Sequence, residues 1–220
     1  MRCAMRIAYV VDVHGRYDAV ADAMRAIGAA DLLIVGGDIT TGGTPDEAAA
    51  AIDGWRALAP RLLALAGNMD SPAIDARLAE LGVALDARGH RLGDVGVFGV
   101  SAAPHSPLRT PYELSEDELE RRIGEGFSAV RECRVKVFCP HPPPRGTACD
   151  RLGSGEHVGS TAVRGFVDRE QPDVVLCGHI HEARAVDTVG ATQVVNPGPA
   201  GAGHYAVVDV DDAVTIRLDP

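Results

Sequence analysis

The 220-residue chain predicts a mixed α/β sandwich in one domain, residues 1–220. Three features predict it. Short apolar runs alternate with helical stretches through the first third of the chain, as strand–helix units do. The middle pairs two apolar runs around Gly93-Asp94, as a hairpin does. The tail is a series of short β-branched runs with no helix between them. With 46% hydrophobic and 24% charged residues the chain suits a soluble globular protein, and no apolar run approaches the ~20 residues of a membrane span.

Residues 5–11 read as a buried strand that follows the N-terminus directly, without the pattern of a signal peptide; Met5 reads as an alternative start to Met1. An Ala-rich helix follows over 17–27, stopped by Gly28. Residues 32–35 form the second strand. Thr44-Pro45-Asp46-Glu47 supplies a Thr N-cap, Pro at the first helical position and Glu two positions later, opening a helix to about Ala59. Residues 62–66 form the third strand, and Ser71-Pro72 caps a helix ending near Gly82. The hairpin pairs 90–92 with 95–100. Ser115-Glu116-Asp117-Glu118 is a capping box for a helix to about Glu132. Residues 135–139 are a strand. The stretch 140–159, rich in Pro and Gly, is a long ordered loop, of the kind that carries function in a compact domain. A helix over 160–170 and a strand over 174–177 come next. The tail strands, 192–195, 205–210 and 213–218, are expected to run antiparallel.

Charge and cysteines narrow the function. Twenty-one basic residues against 31 acidic ones give a net charge of −10, which disfavours nucleic acids and anionic membranes as partners. The five cysteines, Cys3, Cys133, Cys139, Cys149 and Cys177, are odd in number and form no C-x-x-C pair. That argues against a disulfide framework or zinc knuckle and for a reducing cytoplasm.

Polar residues cluster where the predicted strands end. Asp12 and His14 follow the first strand, Gly36-Gly37-Asp38 the second, and Gly67-Asn68 the third; His141 follows residues 135–139, and Gly178-His179-Ile180-His181 follows residues 174–177. Singly, an Asp after a strand is a turn residue and a lone His a structural imidazole. Five together mark a site, because sites gather at the carboxyl ends of strands in open α/β sheets. Imidazole with carboxylate suits manganese, iron or zinc rather than calcium or magnesium. Seven ligand residues, four His, two Asp and one Asn, exceed one tetrahedral ion and suit two ions that share a carboxylate, the usual clamp for displacement at phosphorus.

In this pattern the chain resembles the calcineurin-like metallophosphoesterases. Their blocks D-x-H, G-D, G-N-H-[DE], a separate His and G-H-x-H correspond to Asp12-Val13-His14, Gly37-Asp38, Gly67-Asn68-Met69-Asp70, His141 and Gly178-His179-Ile180-His181. The resemblance implies two mixed sheets flanked by helices. It implies one metal on Asp12, His14 and His181, a second on Asn68, His141 and His179, and Asp38 as the bridge. It further implies two divalent transition metal ions, manganese first, with iron and zinc as alternatives. Asn196-Pro197-Gly198 is similar to a turn that packs against the site in small members of the family. Thr110-Pro111-Tyr112-Glu113-Leu114 and residues 155–160 are similar to segments of a small prokaryotic branch.

Met69 departs from the pattern. The family carries at that position a His that helps to protonate the leaving oxygen, with the following acid, here Asp70, as its partner. Candidates for the missing acid are His105, His157 and His204, with His157 first because it lies in the long loop that begins at His141. Arg145 in that loop, and Arg109, can hold a phosphate oxygen. Asn68, besides binding metal, is expected to contact substrate. The expected activity is hydrolysis of a small phosphate mono- or diester by metal-activated water, with good leaving groups favoured. The alternative is a weakly catalytic metal-binding scaffold or protein-interaction module of the same fold; the complete ligand set favours the enzyme.

Overall fold

The computed structural model describes residues 4–219; Met1 and Cys3 lie outside them. The first half winds as strand–helix units: β1 (Met5–Val10), α1 (Tyr17–Ile27), β2 (Leu32–Val35), α2 (Pro45–Trp55), β3 (Leu62–Ala64) and α3 (Pro72–Glu80). β4 (Gly89–Leu92) and β5 (Val95–Val100) form the expected hairpin. Next come β6 (Ala103–Pro104), β7 (Glu113–Leu114), α4 (Glu116–Ser128), β8 (Val135–Pro140) and α5 (Thr161–Glu170). The order closes with β9 (Val174–Leu176), β10 (Ala185–Val189), β11 (Thr192–Asn196), β12 (Tyr205–Val210) and β13 (Val214–Asp219). Thr44, Ser71 and Ser115 cap their helices as their spacing predicts.

Two large mixed sheets emerge among the described residues, with strand orders β13-β12-β1-β2-β3 and β10-β11-β9-β8-β5-β4. Alternate residues of each strand serve different layers. Ile7, Tyr9, Leu32 and Ile34 pack with Val97, Val137 and Val174 between the sheets. Ala8, Val10, Leu33 and Val35 join an outer core with Val20, Ile52 and Leu78 of the first three helices. On the other outer face Phe98 stacks on Phe138 at 4.7 Å, and Phe127 of α4 and Phe166 of α5 close over them. Strands buried on both faces read as continuous apolar runs, which is why alternation was absent from them.

Several boundaries differ from expectation. α2 stops at Trp55 rather than Ala59, because Pro60 lies just ahead and Leu58 already turns back on the Trp55 carbonyl. α4 stops at Ser128 rather than Glu132: Val130 and Cys133 leave the helix to pack on Gly96 of β5, where a side chain on Gly96 would overlap Val130. β1, β3 and β9 end one or two residues early, so Val11, Leu65-Ala66 and Cys177 already belong to the turns that carry the polar residues. The tail is not wholly antiparallel. β11 runs parallel to β9 and antiparallel to β10, an edge strand whose alternating exposed residues gave no apolar run.

The loop after β8 is ordered by one buried carboxylate. Asp150 accepts hydrogen bonds from the N–H groups of Gly146, Thr147 and Gly159 at 3.0, 2.9 and 2.9 Å, and His157 Nδ1 lies 2.6 Å from it. Burial alone would raise its pKa, but the His157 bond and these N–H groups outweigh burial and hold it below the usual carboxylate value.

Candidate metal centre

Five turns converge at the carboxyl ends of β1, β2, β3, β8 and β9. They are cross-linked through the main chain: Asp12 N–H donates to Gly37 O at 3.1 Å, His14 N–H to Asp38 O at 2.7 Å, and Gly178 N–H to His141 O at 3.0 Å. Asp12, His14, Asp38 and His179 all have positive φ, from 48° to 69°, a conformation that costs a non-glycine residue free energy. Gly67 is required by proximity, since a Cβ there would overlap the Asp38 carboxylate.

The side chains form two overlapping groups. In the first, atoms of Asp12, His14, Asp38 and His181 that can bind a metal ion all lie within 4.8 Å of one another. His14 Nε2 is 3.1 Å from His181 Nε2 and 3.5 Å from Asp38 Oδ2. In the second, Asn68 Oδ1 lies 2.7 Å from His179 Nδ1 and 3.0 Å from His141 Nε2. His141 Nε2 is 3.7 Å from Asp38 Oδ2, so this one oxygen reaches both groups. His141 Nδ1–H donates to the Gly36 carbonyl at 3.0 Å, which leaves the Nε2 lone pair facing the site.

The electrostatics fit an external cation. Asp12 and Asp38 are 1% and 2% exposed, and their ion-pair partners are histidines. Burial pushes Asp12 up to about 7, with the charge of Asp70 adding to it against the His179 N–H bond. Burial, then the charges of Asp12 and Asp70, raises Asp38 as well. Burial, followed by the neighbouring His181, brings His14 and His179 down to about 4; burial and then His179 lower His141. The imidazoles are thus held neutral, with lone pairs converging on carboxylates that no lysine or arginine pairs with among the described residues. That donor set, nitrogen with carboxylate and amide oxygen, fits divalent transition metal ions.

The remaining expected residues fall into place less uniformly. Met69 lines a cavity of about 640 Å³ above the cluster, while its N–H donates to Asp38 Oδ1 at 2.7 Å. Asp70 is not available to orient an imidazole at position 69. Its carboxylate is filled by the N–H groups of Ile39, Thr40 and Gly67 and by the Thr40 hydroxyl, at 2.8 to 2.9 Å, so it locks the Asp38 turn to the Asn68 turn. His157 does not line the cavity. Its neighbours Glu156 and Val158 do, while His157 turns the other way onto Asp150 and into a separate pocket. Arg145 is exposed and outside the cavity, its backbone N–H tied to Ser160 O. Arg109 and His204 are also outside it, whereas His105 lines it. Asn196 donates to the Ile180 carbonyl at 2.8 Å and steadies the turn that bears His179 and His181.

The sequence reading missed the cavity wall over residues 103–110. Glu113 holds it, accepting from the N–H and hydroxyl of both Ser106 and Thr110 at 2.8 to 3.2 Å. Tyr112 N–H ties it to the Asn68 carbonyl at 3.0 Å. The available signal was the stretch 101–114, whose three prolines lie between the hairpin and the capping box.

An uncharacterized protein of Methanocaldococcus jannaschii is 29% identical over 221 residues, covering 98% of this chain and 96% of that protein. A solved structure from Thermus thermophilus superposes with a TM-score of 0.75 at 17% identity, covering 99% of each chain. A dimetal phosphatase from Danio rerio superposes at 0.64 with 11% identity, over 97% of this chain and 95% of its own. At such identities the two structures establish the shared fold. No described helix is long and apolar enough to cross a membrane. The pattern of the calcineurin-like phosphoesterases matches residues 5–183, and the chain belongs to that family.

Proposed function

We propose that this chain is a metal-dependent hydrolase of a small phosphate mono- or diester, one domain with one binuclear site. One divalent ion would be held by Asp12, His14 and His181 and the other by Asn68, His141 and His179, with Asp38 shared. The observation that carries this reading is the position of Asp38 Oδ2, 3.5 Å from His14 Nε2 and 3.7 Å from His141 Nε2. When bound, such ions lower the pKa of water toward neutrality and offset charge on the phosphoryl group. Manganese suits the imidazole–carboxylate mixture, with iron and zinc as alternatives.

The chain's own residues do the rest. Asn68 turns Oδ1 toward His141 and His179, so its amide N–H groups are the donors for a phosphoryl oxygen. Asp70 acts at one remove, by fixing the Asp38 and Asn68 turns. With Met69 in the wall, His105 is the cavity imidazole outside the ligand set, and it replaces His157 as the candidate proton donor to the leaving oxygen. Cys133, Cys139, Cys149 and Cys177 are free and buried, which supports a reducing cytoplasm.

The test is elemental analysis after expression with added manganese, alongside hydrolysis of a mono- and a diester with the same leaving group. Two ions per chain and metal-dependent turnover are expected. A persistent count of zero or one ion, or turnover indifferent to chelation, would defeat the binuclear reading.

A further inference from the structure

The cavity above the cluster has a chemistry of its own. Metal-ligand residues form its floor, and its walls are apolar: Met69, Pro104, Pro107, Leu108, Leu152 and Ile180. No lysine or arginine lines it among the described residues. The acidic side chains in the lining are Asp38 of the floor and Glu113 and Glu156 of the walls. Leu108 stands at the lip with 83% of its surface exposed, and Val186, far along the chain, is the other large exposed apolar residue among those described. An apolar side chain left in water beside an apolar cavity suits a ligand that covers it.

The wall is built rather than loose. Glu113 fastens Ser106 and Thr110 on either side of Pro107-Leu108, and Tyr112 N–H is bonded to the carbonyl of Asn68 itself. The apolar surface is therefore held at a fixed height over the donors. From these observations we propose that the substrate is a phosphate ester whose organic group is apolar, an alkyl or aryl chain seated between the 103–110 wall and Leu152. The proposal rests on the phosphoesterase reading above and adds the substrate class. Away from the floor, further charges of a polyphosphate or a carboxylated group would lie against apolar side chains and two glutamates, with no lysine or arginine of the described lining to meet them, a costly placement. An alkyl or aryl group gains from burial there.

Non-hydrolysable phosphonates separate the pocket from the chemistry. Ethyl-, butyl- and hexylphosphonate, and hexylphosphonate carrying a terminal carboxylate, are titrated calorimetrically into the manganese-loaded protein. The same chains are supplied as 4-nitrophenyl diesters for turnover. Affinity and kcat/KM are expected to rise by up to about fourfold per methylene, which is ~0.8 kcal/mol per buried CH2 group, and to fall for the carboxylated chain. Leu108→Asp, at an exposed position that folding does not need, should flatten the dependence on chain length. Length-dependent phosphonate binding without turnover of any ester would keep the pocket and sink the hydrolase. Turnover with a flat or falling length series would sink the pocket and keep the hydrolase. Failure of every phosphonate to bind, or tighter binding of the carboxylated chain, overturns the proposal.

Discussion

Two carboxylate clusters flank the turn from Ala66 to Asp70, and they are solved in opposite ways. Asp12 and Asp75 are both buried, and burial is the main force pushing each up to about 7. Around Asp75 the chain completes its own network. Asp75 accepts from Tyr112 and Ser101 hydroxyls at 2.9 and 2.8 Å and from Ala66 N–H at 3.3 Å. Its neighbour Asp86 pairs with Arg122 Nη1 at 2.6 Å, and Arg122 also donates to Tyr112. Around Asp12 and Asp38 the partners are backbone N–H groups and histidines kept neutral. Burial alone therefore does not mark a functional acid. What sets Asp12 and Asp38 apart is that, among the described residues, their charged partners are histidines and no lysine or arginine.

The sharpest way to break this contrast is Asp38→Asn. The amide keeps the bond from Met69 N–H, so the metal-free variant should melt no lower than the metal-free wild type. Turnover should fall about 10²–10³-fold, the cost typical of removing one electrostatic group from an active site, with fewer than two ions bound. A metal-free variant that melts several degrees lower would make Asp38 a structural acid like Asp75. The mirror experiment is Arg122→Ala, which strands Asp86 and Tyr112. It should cost about 1–3 kcal/mol in denaturant unfolding while the metal count stays at its wild-type value. Loss of ions without loss of stability would erase the distinction between the clusters.

The smallest expected effect is a slope. The folded-state value of Asp75, about 7, lies above its ordinary 3.8. The protonated folded form is thus favoured, and its contribution is complete below about pH 4 and is lost as pH rises toward 7. Asp75→Asn removes the titration. The stability of wild type relative to the variant, measured on metal-free protein, should decline across that window. Parallel profiles would mean that Arg122 and the hydroxyls compensate Asp75 fully.

The residues that converge were legible in the sequence because strand ends are: an apolar run, often a glycine, then a His, Asp or Asn. Asp12, His14, Asp38, Asn68, His141, His179 and His181 all follow that rule. The loops were less legible, because the direction of a loop side chain is set by distant contacts. His157 faces away because Asp150 holds it, while its sequence neighbours face inward. Asp70 looked like a catalytic partner, but its role depends on Ile39 and Thr40, thirty residues earlier. Asp75 stands in the first turn of α3 with nothing nearby in sequence to mark it, and its buried network comes from Ser101 and Tyr112, far along the chain. Gly96 hid the end of α4 in the same manner, since a close approach leaves no mark in the helix's own residues.

Floor and walls of the cavity come from different stretches of chain. The proposed metal donors sit on the ends of strands packed between two cores, where a one-residue insertion would shift a whole register. The walls at 103–110 and 152–158, loops apart from the short β6, contribute none of the seven converging residues. Heritable change therefore falls on the two unequally. A lineage can lengthen, shorten or recolour either loop while every donor stays in place, so related chains can diverge in what they accept long before they diverge in what they do to it.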